Sequence, residues 1–104
     1  MAKADTDLVN PAPTPTDSID AVLAERGGRY GVFATHALIT QEFKNLLQTS
    51  PNWHRMDADM KEALEMVAHK MGRILNGDPN YADSWVDIAG YSKLVADRLE
   101  GNSR

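Results

Sequence analysis

The strongest constraint on this fold is the helical spacing of apolar residues on both sides of one short turn. The turn is Gly77-Asp78-Pro79-Asn80. Before it, apolar residues recur every three or four positions, at Met60, Ala63, Leu64, Val67, Met71 and Ile74. After it, the same spacing resumes at Trp85, Ile88, Ser92, Val95 and Leu99. This period predicts two amphipathic helices, one from the N-cap Asp57 to about 76 and one over about 81–100. Because the turn is short, the two helices should be antiparallel.

Two further helices precede this pair. Ile19, Val22 and Leu23 predict a short helix over about 19–24, which the glycine-rich segment 26–31 should end. A longer helix is predicted over about 33–48, with an apolar face at Leu38, Ile39, Phe43, Leu46 and Leu47. Trp53 should anchor the following connection. No alternating β pattern is present, and we therefore predict an all-α bundle of about four helices.

The first sixteen residues differ from the rest of the chain. Residues 1–16 are rich in proline and, after Met1, contain only Leu8 and Val9 as larger apolar residues. Such a segment cannot bury enough surface to offset its ordering entropy, so we predict a disordered tail. Residues 17–104 then form a single helical domain. A domain this small often gains stability by oligomerising, and we expect a homo-oligomer.

Composition excludes several classes of function. The formal net charge of −4 argues against general nucleic-acid binding. Without cysteine the chain has neither disulfides nor thiolate metal sites. No apolar run is long enough for a membrane span or a signal peptide, so we expect a cytoplasmic protein. The three histidines, His36, His54 and His69, lack the spacing of a zinc motif.

Charged residues are concentrated on the two helices that flank the turn. Asp83 and Asp87 are one helical turn apart and share a face. In an antiparallel pair the residues opposite them should be Arg73 and Lys70. One interpretation is therefore structural, with the ion pairs Arg73–Asp83 and Lys70–Asp87.

The alternative interpretation is a magnesium site that also binds phosphate. Its metal ligands would be the four carboxylates Glu62, Glu65, Asp83 and Asp87. In a single antiparallel hairpin the two pairs lie apart, so they would have to meet in another way, for instance across a dimer interface. Nearby lysine and arginine would neutralise the phosphate.

The segment 26–31 is the second candidate site. Its glycine-rich backbone can direct N–H groups at an anion, and Arg26 and Arg29 add positive charge. Tyr30, Trp85 and Tyr91 could stack on a base. A simple helix break, with the aromatic residues in the core, explains the same pattern equally well.

Several of these motifs together resemble a known family. Arg29-Tyr30-Gly31 with Phe33, then Lys70 and Arg73, then the segment DSWVDIAGY at 83–91, resemble a family of small phage and prophage proteins. That family is described only as a domain of unknown function. The resemblance covers residues 25–99, and it implies a viral or prophage origin and a bacterial host cytoplasm.

A more distant similarity is to phage domains associated with nucleotide modification and to the all-α, MazG-like nucleoside triphosphate pyrophosphohydrolases. Those enzymes hold magnesium with E-x-x-E on one helix and E-x-x-D on the next. Glu62 and Glu65 match the first element, whereas Asp83 and Asp87 are one residue further apart than the second.

Three functions are compatible with these observations. We favour a protein that binds a nucleotide or another phosphate-bearing ligand without turning it over, through Arg26, Arg29, Tyr30, Lys70, Arg73, Trp85 and Tyr91. The first alternative is a magnesium-dependent, MazG-like pyrophosphohydrolase that uses the four carboxylates. The second is a module that binds only a host protein. The departure in carboxylate spacing favours binding over catalysis.

Overall fold

The computed structural model describes residues 15–102, and these residues are almost entirely helical. A short 3-10 turn, Trp53–Arg55, connects the second helix to the third. The four α-helices are α1 (Pro15–Tyr30), α2 (Phe33–Gln48), α3 (Ala58–Asn76) and α4 (Ala82–Leu99). Within residues 15–102 there is no β-strand. The all-α prediction is confirmed, and the predicted bounds of α2, α3 and α4 agree with the structure to within about a residue.

Helix α1 is longer than predicted. It begins at Pro15 and continues through Gly27 and Gly28 to Tyr30, whereas the prediction ended it near residue 24. Each glycine inside a helix costs only about 1 kcal/mol relative to alanine, so two of them weaken α1 without ending it. The break comes at Gly31, whose φ of +80° leaves the helical region. Residues 1–14 of the predicted disordered tail lie outside the described residues.

Helix α3 is the centre of the fold. It packs against both α2 and α4, while α1 contacts α2 and α3 mainly through its C-terminal end. Residues 18–28 of α1 are exposed, including Ile19, Val22 and Leu23, which the sequence predicted to be buried. Trp53 is buried against the bundle, as expected for an anchor.

The buried residues are mostly small or polar. Within the described chain, the buried apolar residues are Trp53, Ala63 and Ala68, and the buried polar ones are His36, Thr40, Lys70, Ser84 and Asp97. The prediction that Trp85 and Leu99 point inward is wrong, since both are more than half exposed. The reason is that α4 meets α3 through charged side chains on a different side of the helix, as described below. No helix in residues 15–102 is long and apolar enough to cross a membrane.

Candidate functional site

A pocket of about 440 Å³ lies where the C-terminal end of α1 meets α2 and α3. We call it the α1–α3 pocket. Its walls combine apolar side chains, two arginines, a tyrosine and two histidines. The lining residues are Leu23, Arg26, Gly27, Tyr30, Gly31, Val32, Phe33, His36, His69 and Arg73.

The position of this pocket is set by backbone contacts between residues 29–32 and residues 76–78, which we call the α1–α3 junction. The Asn76 side-chain amide donates hydrogen bonds to the carbonyl oxygens of Tyr30 at 2.8 Å and Val32 at 2.9 Å. The Asp78 amide donates to the Arg29 carbonyl at 2.6 Å. At Gly77 the backbone of Arg29 and Tyr30 occupies the space that a Cβ would fill. The end of α1 is therefore held directly on the end of α3.

Arg73 and Tyr30 form the polar wall of the pocket. The Arg73 guanidinium lies 4.1 Å from the centroid of the Tyr30 ring, which is a cation–π contact. Tyr30 also packs edge-on against Tyr81, with 6.2 Å between ring centroids. Among the side chains of residues 18–102, no carboxylate forms an ion pair with Arg73 or with Arg26. Two arginines in one pocket are thus left without an acidic partner from this part of the chain.

Two histidines form the floor of the pocket where α2 meets α3. His36 Nε2 and His69 Nδ1 are 3.3 Å apart, so one ring donates a hydrogen bond to the other. Burial, and then the positive charge of Arg73, lower the pKa of His69 to about 4. Burial likewise lowers the pKa of His36. Both rings are therefore neutral at pH 7 and provide hydrogen-bonding groups without charge.

Arg29, the third predicted arginine, does not line the pocket. Its guanidinium forms an ion pair with Glu25 at 2.6 Å and donates a hydrogen bond to the Tyr81 hydroxyl at 2.7 Å. It also lies 4.7 Å from the centroid of the Tyr81 ring. These contacts tie the end of α1 to the start of α4, so Arg29 has a structural role.

Lys70 and Asp87 form the predicted ion pair between α3 and α4, at 2.8 Å. The companion pair Arg73–Asp83 was predicted from the same antiparallel register and is wrong, because Arg73 turns toward Tyr30 instead. Lys70 is buried in this contact, and Asp87 neutralises its ammonium group.

The two remaining aromatic candidates lie elsewhere. Trp85 donates from Nε1 to the Pro79 carbonyl at 2.9 Å and lines a different groove, between α3 and α4. Tyr91 is half-buried on α4, one turn after Asp87. Three of the seven predicted ligand residues, Arg26, Tyr30 and Arg73, therefore come together, and the other four do not join them.

The four predicted metal ligands are not gathered at one place in the described chain. Glu65 accepts a hydrogen bond from Gln48 at 3.3 Å, and Asp87 is paired with Lys70. Glu62 and Asp83 are exposed. Residues 15–102 contain no group of three histidine, aspartate or glutamate side chains placed to hold a metal ion. A magnesium site built from these carboxylates requires a second copy of the chain and stays a prediction.

Sequence reasoning missed several residues of the pocket. His36 is 33 positions from His69, and nothing in the spacing of either residue indicates that the two rings meet. Phe33, which is 75% exposed at the pocket, was indicated only by the family resemblance. Residues 33, 36 and 40 do follow helical spacing, and this pattern was the available signal for His36.

Comparison with known proteins identifies the family and nothing more specific. The sequence model described as "Domain of unknown function (DUF6378)" matches residues 16–99, and the chain belongs to this family. Neither a curated protein nor a solved structure matches the chain. The phage origin and the similarity to MazG-like enzymes stay predictions.

Proposed function

We propose that this member of the DUF6378 family binds a nucleotide, or another phosphate-bearing ligand with a flat ring, in the α1–α3 pocket without turning it over. One observation carries this proposal. Arg26 and Arg73 line the same pocket, and neither is paired with a carboxylate of residues 18–102. Unpaired arginines in a concave site favour binding of an anion over a purely structural role.

The two arginines match the charge and geometry of a phosphate group. A guanidinium presents its N–H donors in a planar fork that can bind two phosphate oxygens at once. The stack on Tyr30 holds the Arg73 guanidinium in one orientation, so less conformational entropy is lost when a ligand binds. Arg26, on the facing helix α1, contributes the second positive charge.

The remaining walls suit a base or a similar ring. Phe33 is largely exposed at the pocket, and Leu23 and Val32 extend the apolar surface. A base stacked on an aromatic ring gains about 1–3 kcal/mol. The volume of about 440 Å³ falls within the range of small-molecule sites. The neutral His69 ring offers its Nε2 for a hydrogen bond to the ligand, because its Nδ1 already contacts the buried His36 ring.

Binding is favoured over hydrolysis because of the carboxylates. The pyrophosphohydrolase hypothesis needs several acidic groups around one metal ion, and in the described chain those groups are dispersed. Asp87, one of the four, is neutralised by Lys70. The magnesium-dependent mechanism would require these carboxylates to meet, which they do not do within residues 15–102 of one chain.

Isothermal titration calorimetry tests this proposal. The probes are ATP, GTP, CTP and dTTP, with adenosine and inorganic phosphate as partial ligands. We expect at least one nucleotide to bind, and Arg73→Gln and Arg26→Gln each to weaken its affinity by about ten-fold or more, since each removes a charge-assisted contact worth about 1.5–3 kcal/mol. Arg55→Gln is the matched control, because Arg55 is an exposed arginine of the 3-10 turn outside the pocket.

Other outcomes would overturn the proposal. If none of the probes binds the wild-type protein, the protein-binding alternative gains support. If Arg73→Gln and Arg55→Gln change the affinity equally, the ligand binds somewhere else. Chromatography of the nucleotide after incubation with Mg²⁺ covers the enzyme alternative, since conversion to monophosphate and pyrophosphate would show turnover.

A further inference from the structure

A second concave surface lies between α3 and α4 and shares no residue with the α1–α3 pocket. It is a groove of about 350 Å³, which we call the α3–α4 groove. All of its lining side chains are aliphatic, aromatic or thioether groups, and none carries a charge. They are Val67, Met71, Ile74, Leu75, Trp85 and Ile88.

The groove is the middle of a longer apolar face. On α3 the face continues from Leu75 back to Leu64, with members three or four residues apart, and on α4 it continues from Trp85 to Leu99. Leu75 is 64% exposed, Trp85 is 55% exposed and Leu99 is 59% exposed. A contiguous apolar face of this kind on a small protein marks an interaction surface.

Residues 15–102 also lack a hydrophobic core of large side chains. Within the described residues, no large side chain is fully buried, and the buried apolar residues are one tryptophan and two alanines. Small domains with so little core commonly gain the missing burial from a second subunit. The sequence pattern predicts that the apolar stripes of α3 and α4 are buried, but contacts within the described chain leave much of them exposed.

We propose that a second copy of the chain covers this face, with α3 and α4 of the two copies forming a four-helix bundle. Two adjacent antiparallel helices with a shared apolar face pair with an identical hairpin through a two-fold axis, and such a contact needs no matching of charges. This proposal does not rest on the proposed ligand.

The size of the face fits a stable dimer. Helix α3 has 19 residues and α4 has 18, so each is about 28 Å long at 1.5 Å per residue. With helices about 10 Å wide, the pair presents a projected area of roughly 560 Å², and the accessible area of such a ridged surface is larger. A standard protein interface buries about 800 Å² on each partner. The hairpin face is of this order, whereas a single helical peptide about 10 Å wide would leave about half of it uncovered.

Light scattering coupled to size-exclusion chromatography tests the dimer. We expect a dimer for the wild-type chain at about 50 µM, and a monomer for Trp85→Glu, because each copy would have to bury a carboxylate in the apolar interface. Val86→Glu is the matched control. Val86 is the next residue on the same helix and is 63% exposed, but it does not line the groove, so this variant should stay dimeric.

Tryptophan fluorescence gives an independent measurement. Trp53 is buried within the chain and Trp85 is exposed, so dilution of the wild-type dimer should shift the emission to longer wavelength. Circular dichroism checks that each variant is still helical. If Trp85→Glu does not fold, Leu75→Glu places a carboxylate in the same groove from α3, and its oligomeric state is measured instead. A monomeric wild type at 50 µM overturns the proposal. So does an oligomer that survives both Trp85→Glu and Leu75→Glu.

Discussion

The two contacts that α3 makes with its neighbours are built from different chemistry. Toward α2 the contact consists of small and neutral polar groups, with Gly72 against His36 and Thr40. Toward α4 the contact includes ion pairs, and one of them joins Lys70 to Asp87. At the N-terminal end of α3, Arg98 binds Asp59 through two hydrogen bonds of 2.6 and 2.7 Å. One helix therefore packs by close approach on one side and by ion pairing on the other.

This difference in packing explains why the α1–α3 pocket forms on the side of α3 that faces α2. Close packing at Gly72 brings the His36 and His69 rings within hydrogen-bonding distance, and their burial keeps both neutral. On the α4 side, carboxylates neutralise the cations Lys70 and Arg98. Arg73, also on α3, forms no ion pair with a carboxylate of residues 18–102, so it is available for a ligand together with Arg26.

The largest expected effect is steric. A Cβ at Gly72 would lie 2.5 Å from the Thr40 methyl and 3.0 Å from the His36 ring. Gly72→Ala should therefore lower the free energy of unfolding by about 2 kcal/mol through overpacking, even after the gain in helix propensity. Urea denaturation measures this change. Gly90→Ala is the control, because a Cβ there has nothing within 4 Å, and it should stabilise α4 by up to ~1 kcal/mol. Equal effects at the two positions would contradict close packing on the α2 side.

The next effect concerns charge on the α4 side. Lys70→Met removes the partner of Asp87 from a contact in which the lysine side chain is only 11% exposed. We expect a loss of about 1–2 kcal/mol, since a partly buried carboxylate is left without a cation. Glu25→Gln is the control, because Glu25 pairs with Arg29 one turn later on the exposed surface of α1 and such pairs contribute only about 0.3–0.5 kcal/mol. The double variant Lys70→Met with Asp87→Leu should recover much of the loss in urea denaturation.

The smallest effect is the response to pH, and it should arise on the α2 side. The pKa of His69 is about 4 in the folded chain and near 6.5 when unfolded, so the unfolded state binds the proton more tightly. Stability is therefore fully present above about pH 6.5 and falls as the pH drops toward 4. Because the ring is partly exposed, solvent screening should keep the loss near about 1 kcal/mol, or roughly 5 °C in Tm.

Thermal unfolding followed by circular dichroism between pH 7.5 and pH 4.5 checks this expectation. His69→Gln should flatten the profile, while His54→Gln, at an exposed histidine outside the pocket, should leave it unchanged. A profile that His69→Gln does not alter would mean that His69 contributes nothing to the pH response.

The sequence predicted the helices well because helical periodicity and end signals are local. Helix α2 has the predicted bounds, Phe33–Gln48, and α3 follows Asp57 and ends before Gly77. The Lys70–Asp87 pair was also predictable, since an antiparallel hairpin with a short turn fixes which residues face each other.

The errors arose where tertiary contacts decide the outcome. The buried side of α4 was predicted from apolar spacing, but ion pairs to Lys70 and Asp59 orient this helix and leave Trp85 exposed. The candidate site depends on a contact between His36 and His69, which only the packing of α2 on α3 creates. Arg29 and Arg73 look equivalent in the sequence, yet Glu25 neutralises only the first.

The α1–α3 junction has a consequence for how the chain tolerates change. The turn between α3 and α4 is short and mostly exposed, and such turns usually accept insertions. Here the Asp78 amide donates to the Arg29 carbonyl, and the Gly77 backbone lies against Tyr30. An inserted residue would separate the turn from the end of helix α1, although that end lies nearly fifty positions earlier in the chain. The α1–α3 junction is made of backbone, Asn76 and two glycines, Gly31 and Gly77, that have no room for a Cβ. A library of variants should therefore show little freedom at these three positions and in the length of the turn, and wide freedom at the other side chains around them.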